Sequence, residues 1–196
     1  MKKSWIIIIV IVVLGFLAYS SVKGTYNSMV TYGETVDKQW ADVENVYQRR
    51  ADLIPNLVST VKGYATHEKE TLEGVINARA KATSTTINAG DLSPSKIAAF
   101  QQAQDGLSSA LSKLMVVVER YPELKANQNF LELQAQLEGT ENRIAVERRK
   151  FNEAAQKYNT YIKLFPKNMF ANMFGFEKKP YFEAQKGAET APKVEF

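Results

Sequence analysis

His67 is the single histidine of a 196-residue chain that contains no cysteine, so any imidazole chemistry must be done there. It opens the string His67-Glu68-Lys69-Glu70-Thr71, and the zinc-binding H-E-x-x-H arrangement fails because position 71 is Thr. A Ser-His-Asp relay has no other imidazole to use. Asp52, Glu68, Glu70, Glu73, Glu138, Glu141 and Glu147 offer carboxylates in helical stretches, as carboxylate-bridged di-metal bundles do, yet the Glu-x-x-His pairs of those sites are missing. Gly24, Gly33, Gly63 and Gly74 are isolated, with neither GxxxxGK[ST] nor GxGxxG around them, so no phosphate loop is present. The chain is read as having no catalytic residue, no metal site and no cofactor, and as not being an enzyme.

What remains is a set of polar groups beside apolar seams. Arg49, Arg50 and Asp52 adjoin Leu53-Ile54-Pro55, and Thr140, Glu141, Asn142, Arg143 and Arg148 lie on a long helical stretch. Such groups between packed helices form hydrogen bonds and ion pairs that fix register, and breaking a buried one costs several kcal/mol. The functional alternative is a bundle cleft near Arg50, Asp52 and His67 that takes a small ligand or peptide.

These residues need elements to hold them. Trp5 to Val22, WIIIIVIVVLGFLAYSSV, is almost uninterruptedly apolar, with Lys2 and Lys3 before it and Lys23 after it. As a helix it rises roughly 27 Å, close to the hydrocarbon thickness of a bilayer. A cleavable signal peptide would use Ala18-Tyr19-Ser20, but Tyr19 and Val22 prolong the run and Trp5 stands where an interfacial aromatic does. Residues 1–23 are therefore read as a retained single-pass anchor whose partner is the lipid bilayer. The lysines ahead of the run weakly favour an inside N-terminus and an extracytoplasmic body.

The 25 Lys and Arg exceed the 21 Asp and Glu by four. Residues 1–23 hold three Lys and no acid, so the body has 22 basic against 21 acidic side chains. A nearly neutral body with interleaved signs lacks the footprint of a nucleic-acid binder, and Arg148-Arg149-Lys150 reads as a solvated helix face.

From Thr35 the apolar residues Val36, Trp40, Val43, Tyr47, Ile54, Leu57 and Val61 step mostly by three, four or seven. This predicts a long helix from about residue 26, kinked or broken at Pro55, where an amide donor is lost. The stripe resumes through Leu72, Val75 and Ile76; 83–93 is a turn-rich connector. Ser93-Pro94 predicts a capped helix to about Arg120 with Phe100, Leu107, Leu111, Leu114 and Val118 on its seam. Tyr121-Pro122 closes it and opens a third helix from Glu123 to Phe165, on the order of 65 Å long. Its seam, Phe130, Leu133, Leu137, Thr140, Ile144, Glu147, Phe151, Ala154, Tyr158, Ile162 and Phe165, is polar at Thr140 and Glu147, where it is expected to open. The fold class is all-α: an anchor, then an elongated antiparallel bundle of three or four long helices over 24–166. Residues 167–196 form an aromatic tail without helical order, either packed along the bundle or open to a partner through Phe174, Phe176, Tyr181 and Phe182.

Trp40, the string Arg49-Arg50-Ala51-Asp52-Leu53-Ile54-Pro55-Asn56-Leu57-Val58, then Val61-Lys62-Gly63-Tyr64-Ala65-Thr66-His67-Glu68, resemble the LemA family of bacterial membrane proteins. So do Glu119-Arg120-Tyr121-Pro122-Glu123-Leu124-Lys125-Ala126-Asn127, the stretch Leu133-Gln134 to Thr140-Glu141-Asn142, and Tyr158-Asn159. The resemblance covers nearly the whole chain. It implies an N-terminal membrane helix, a long helical bundle and no established enzymatic activity. It also implies a short N-terminus outside the cell, against the lysine count, although relatives that resemble lipoproteins would place the body outside. The expected role is structural or scaffolding, with a second copy or another membrane or envelope protein as partner.

Overall fold

A computed structural model describes residues 3–183. The described residues form helices and no strand: α1 (Lys3–Tyr64), α2 (Lys69–Ser84), α3 (Pro94–Val118), the single turn α4 (Pro122–Lys125), α5 (Gln128–Lys163) and α6 (Lys167–Phe174), with a short 3-10 turn at Ala89–Asp91. Residues 184–196 of the expected tail, Phe196 among them, lie outside the described residues.

The anchor and the first bundle helix are one element. α1 runs for 62 residues without interruption at Gly24, Gly33 or Pro55, which makes it roughly 90 Å long. The expected break at Pro55 does not occur, and the reason is local. Proline leaves the carbonyl four residues earlier, that of Ala51, without its helical donor. Arg79 of α2 supplies one: its Nε donates to the Ala51 oxygen at 2.7 Å.

Capping residues set the other boundaries. The Ser93 hydroxyl accepts from the Lys96 amide with Pro94 in the first helical position, as the sequence predicts. The predicted third helix is divided. α4 stops at Lys125, and Asn127, in extended backbone, accepts from the Phe130 amide at 3.0 Å to start α5. Asn is among the strongest N-caps, so the chain starts a new helix there instead of extending the turn before it. The 167–196 segment also differs from expectation, because Lys167–Phe174 is helical and ends at Gly175 with φ 75°. That left-handed cap leaves no penalty on a residue without Cβ.

α1, α2, α3 and α5 alternate up and down as a four-helix bundle. α1 and α5 stay in antiparallel register along its whole length: Tyr32 meets Tyr161 with ring centroids 5.0 Å apart, Trp40 meets Phe151 at 5.7 Å, and Asn127 bonds Tyr64 at 2.9 Å. α2 and α3, of 16 and 25 residues, reach only part of the way back toward the anchor. Where they end, α6 and residues 176–183 take their place against α1 and α5. Two apolar clusters result. The one nearer the anchor holds Met29, Val36, Trp40, Phe100, Phe151, Ala171 and Phe182; the far one holds Ile54, Leu57, Leu107, Leu114, Leu124 and Phe130.

Candidate functional site

A polar layer separates the two clusters, centred on Arg50. α1 is bound to place Arg50 inward, because Tyr47, Ile54 and Leu57 at helical spacing carry the buried stripe past it. The side chain is 2% exposed. One terminal nitrogen donates to Glu141 Oε2 on α5 at 2.8 Å and to the Ser108 hydroxyl on α3 at 2.9 Å; the other donates to Gln104 Oε1 at 2.7 Å and to the Gln104 carbonyl at 3.3 Å. The guanidinium also lies 5.1 Å from the Tyr47 ring centre. Its Nε has no partner. Gln104 extends the layer by donating to the Ala82 carbonyl at 3.3 Å, so one arginine links α1, α3 and α5 and, through Gln104, α2. Thr140, 2% exposed, closes its own hydroxyl onto the Gln136 carbonyl at 2.7 Å. The seam therefore does not open at Thr140. Burial pushes the Tyr47 phenol above its ordinary range, against the lowering effect of Arg148 and Arg50.

The other polar candidates are not gathered here. Arg49, Asp52 and Asn142 are exposed, Asp52 accepting from Gln48 at 2.8 Å. His67 is exposed in the turn between α1 and α2, about 25 Å further along the helix axis than Arg50 by helical rise. Arg50, Asp52 and His67 thus do not line one cleft, and the space around Arg50 is filled by its own partners. At that turn the groups that do meet are Glu68, Tyr121 and Arg120: the phenol donates to Glu68 at 2.9 Å and Arg120 pairs with the same oxygen at 3.0 Å. The bond to Glu68 raises the Tyr121 phenol's pKa. Among the described residues no group of three or more His, Cys, Asp or Glu is placed to hold a metal ion.

The aromatic tail is held in place by two asparagines seven residues apart on one face of α5. Asn152 Nδ2 donates to the Phe182 carbonyl at 3.0 Å while its Oδ1 accepts from the Phe182 amide at 2.9 Å. Asn159 treats Lys179 the same way, at 2.8 and 2.9 Å. Asn152 thus reads backbone alone, as a neighbouring strand would, while Asn159 Nδ2 also donates to the Tyr181 hydroxyl at 2.9 Å. Side chains supply the rest: Lys179 pairs with Asp37 at 2.9 Å, and Phe182 stacks on Trp40 at 5.9 Å and meets Phe151 edge-on at 5.4 Å. The Trp40 indole donates to the Ile87 carbonyl at 3.0 Å.

This placement corrects part of the expected contact set. Phe182 is 5% exposed, a core residue rather than a free contact, and Phe176 is half-buried against Tyr26. Phe174 and Tyr181 remain open, at 43% and 44%. Tyr181, with Ile97, Gln101, Asp105 and Glu183, borders an open groove of about 970 Å³ between α3 and the tail. The sequence patterns did not single out Gln104, Ser108, Arg79 or Asn152, and marked Asn159 only through the family resemblance. Gln104 was findable, since it stands between Phe100 and Leu107 on the buried stripe of α3.

A family model described as the LemA family matches residues 39–196, which includes the Arg50 layer and both asparagines. Magnetosome protein MamQ 2 of Paramagnetospirillum magneticum (strain ATCC 700264 / AMB-1) is 29% identical over 94% of this chain and 73% of its own length. Magnetosome protein MamQ of Magnetospirillum gryphiswaldense is 29% identical over 84% of this chain and 67% of its own. Protein LemA of Metamycoplasma hominis is 22% identical over 93% and 80%. With a family match over most of its length and a bundle centred on the residues that first suggested it, this chain belongs to the LemA family.

Proposed function

We propose that this protein is a membrane-anchored scaffold that holds a stiff helical rod at the bilayer and recruits a second copy or another envelope protein to it. The observation that carries this is the continuity of α1, in which anchor and rod share one helix. A jointed tether would let the body wander; a continuous helix fixes its height and tilt. The names of the relatives from Paramagnetospirillum and Magnetospirillum associate those proteins with the magnetosome, in keeping with a membrane-associated role here. Recruitment is assigned to the groove beside Tyr181, and the body is assigned to the extracytoplasmic side. No reaction is proposed: both terminal nitrogens of Arg50 are engaged by Glu141, Ser108 and Gln104, and the Nε left without a partner is itself buried.

Cross-linking in intact membranes, followed by mass measurement of the detergent-extracted chain, tests recruitment. Bands at discrete higher masses that weaken with Tyr181→Ala are expected; a monodisperse monomer with no cross-linked neighbour overturns the scaffold. Protease added to intact cells should digest the body, and protection would place it inside.

A second reading is favoured by the asparagine pair. Backbone-directed bonds from Asn152 and Asn159 would accept another non-helical peptide with an aromatic three residues after its first clamped residue, so the tail's seat doubles as a peptide site. Phe182→Ala should empty the aromatic pocket and let a fluorescent peptide of the 176–183 sequence bind in trans. Absence of binding at millimolar peptide removes this reading.

A further inference from the structure

The end of the bundle nearest the anchor carries an apolar face that the described residues do not cover. α6 is apolar on two sides. Phe170 and Ala171 pack inward, Ala171 at 2% exposure, and Phe174, though 43% exposed, meets Tyr26 edge-on at 5.1 Å. On the other side Met169 and Met173, spaced by four so that they share a face, are 60% and 63% exposed, and Phe165, in the turn just before α6, is 81% exposed. Asn168 and Asn172 occupy the remaining face, and a second apolar face on one helix is ordinarily covered as the first is.

Its height is fixed by α1. Tyr26, the partner of Phe174 and Phe176, is four residues beyond Val22, the last residue of the apolar run, or about 6 Å along a helix. The headgroup layer is roughly 5–7 Å deep on each side of the hydrocarbon core. α6 is therefore level with that layer when the run spans the bilayer. Charge agrees with this placement. α1 has no acidic residue before Glu34, and the chain has none between Glu153 and Glu177, while Lys23, Lys163 and Lys167 lie in these stretches. Lys23 and Lys163 are exposed, and Lys167 lies over the Tyr161 ring at 3.7 Å. A carboxylate-free apolar face flanked by lysines is what an anionic lipid surface accepts.

We propose that α6 is an interfacial membrane helix: Phe165, Met169 and Met173 dip into the headgroup and upper acyl region of the bilayer beside the anchor, with Lys23 and Lys163 on lipid phosphates. The contact makes a second attachment point and holds the rod at a set angle. It rests on the reading of residues 5–22 as a membrane span.

The cysteine-free sequence allows a clean test with the full chain in phosphatidylcholine–phosphatidylglycerol liposomes. Single variants Phe165→Cys, Met173→Cys, Ile11→Cys and Lys113→Cys carry an environment-sensitive fluorophore, quenched in turn by spin-labelled lipid and by aqueous iodide. Lys113, exposed on α3, reports the water-facing body, and Ile11 reports the anchor. The expected result is quenching of the 165 and 173 labels by shallow lipid spin labels, with iodide quenching several-fold weaker than at 113. If Ile11 is lipid-protected while 165 and 173 are as open to iodide as 113, the proposal is overturned and the anchor stands. If Ile11 is open as well, the anchor reading fails and takes the proposal with it. Protection that depends on protein density and shows no lipid quenching means that a second copy covers the face, which also overturns the proposal.

Discussion

Arg50 is a buried cation whose carboxylate partner is half in water, the Glu141 side chain being 51% exposed. The pair's net worth is thus set by the arginine's desolvation more than by Coulomb attraction, which solvent screens on the Glu141 side. Removing the acid should hurt more than replacing the base with a hydrophobe of similar reach. Glu141→Ala strands the guanidinium among neutral acceptors and is expected to lower stability by about 2–4 kcal/mol. Arg50→Met keeps the aliphatic stem and leaves only neutral groups, for about 1–3 kcal/mol. Chemical denaturation of the two variants in the same detergent checks the order, and a reversed order would mean the layer is held by the salt bridge itself. Tyr47, packed beside Arg50, adds a pH dependence. Its folded pKa lies above the unfolded value near 10, so this contribution is complete below pH 10 and is lost as pH rises through the folded pKa. Tyr47→Phe should flatten the alkaline fall in thermal stability. At this scale the sequence was legible where a charge interrupted an apolar stripe, as at Arg50. Glu141 was legible as one of the polar groups beside the seam, but its pairing with Arg50 was not, and Ser108 is an ordinary surface type until packing brings it to the guanidinium.

A helix passes intact through Pro55 because a different helix completes its backbone bonding, and this element-scale device has a measurable signature. Arg79→Ala leaves the buried Ala51 carbonyl without a donor and should cost about 1–3 kcal/mol. In a Pro55→Ala background the restored amide can serve the same oxygen, so the Arg79→Ala penalty should shrink by at least about 1 kcal/mol, a coupling read from a double-mutant cycle. Equal penalties in both backgrounds would show that Arg79 acts by packing alone. The same logic governs the tail. Asn152→Ala and Asn159→Ala each remove two backbone bonds at once, and either should speed hydrogen exchange at residues 179–182 while leaving α2 and α3 unchanged. Helix existence and most seam residues followed from period and capping, which are local; Phe165, expected on the seam of the third helix, instead lies past the end of α5 and is 81% exposed. The break at Asn127 and the helicity of 167–174 did not follow from either. Asn127 was quoted as part of a string rather than read as a cap, and the short α6 offered too few turns for a period to show. Its stability comes from the α1–α5 face left bare where α2 and α3 end, a property of helix lengths that no local window contains.

On the scale of the whole molecule, the continuous α1 turns an anchor into a lever. The apolar stretch is exposed on all sides, from Ile9 at 48% to Phe16 at 67%, so no described residue packs against it to orient it. From Val22 to Tyr64 the helix climbs about 63 Å, and a tilt near 20° would shorten the height only to about 59 Å. The far end of the bundle, where His67, Tyr121 and Asn127 converge, should therefore stand well clear of the headgroups, while the end of α5 stays within about 10 Å of them. Energy transfer to acceptor dyes in the lipid headgroups separates these heights: strong from a donor at Lys163→Cys, weak from one at Lys62→Cys. Replacing residues 23–25 with a flexible Gly-Ser linker should raise transfer from Lys62→Cys by letting the rod lean over, with little change in thermal unfolding, since no residue of the two core clusters falls there. Strong transfer from Lys62→Cys in the unmodified chain would mean that the rod lies along the membrane, which would overturn the upright geometry that the proposed recruitment needs.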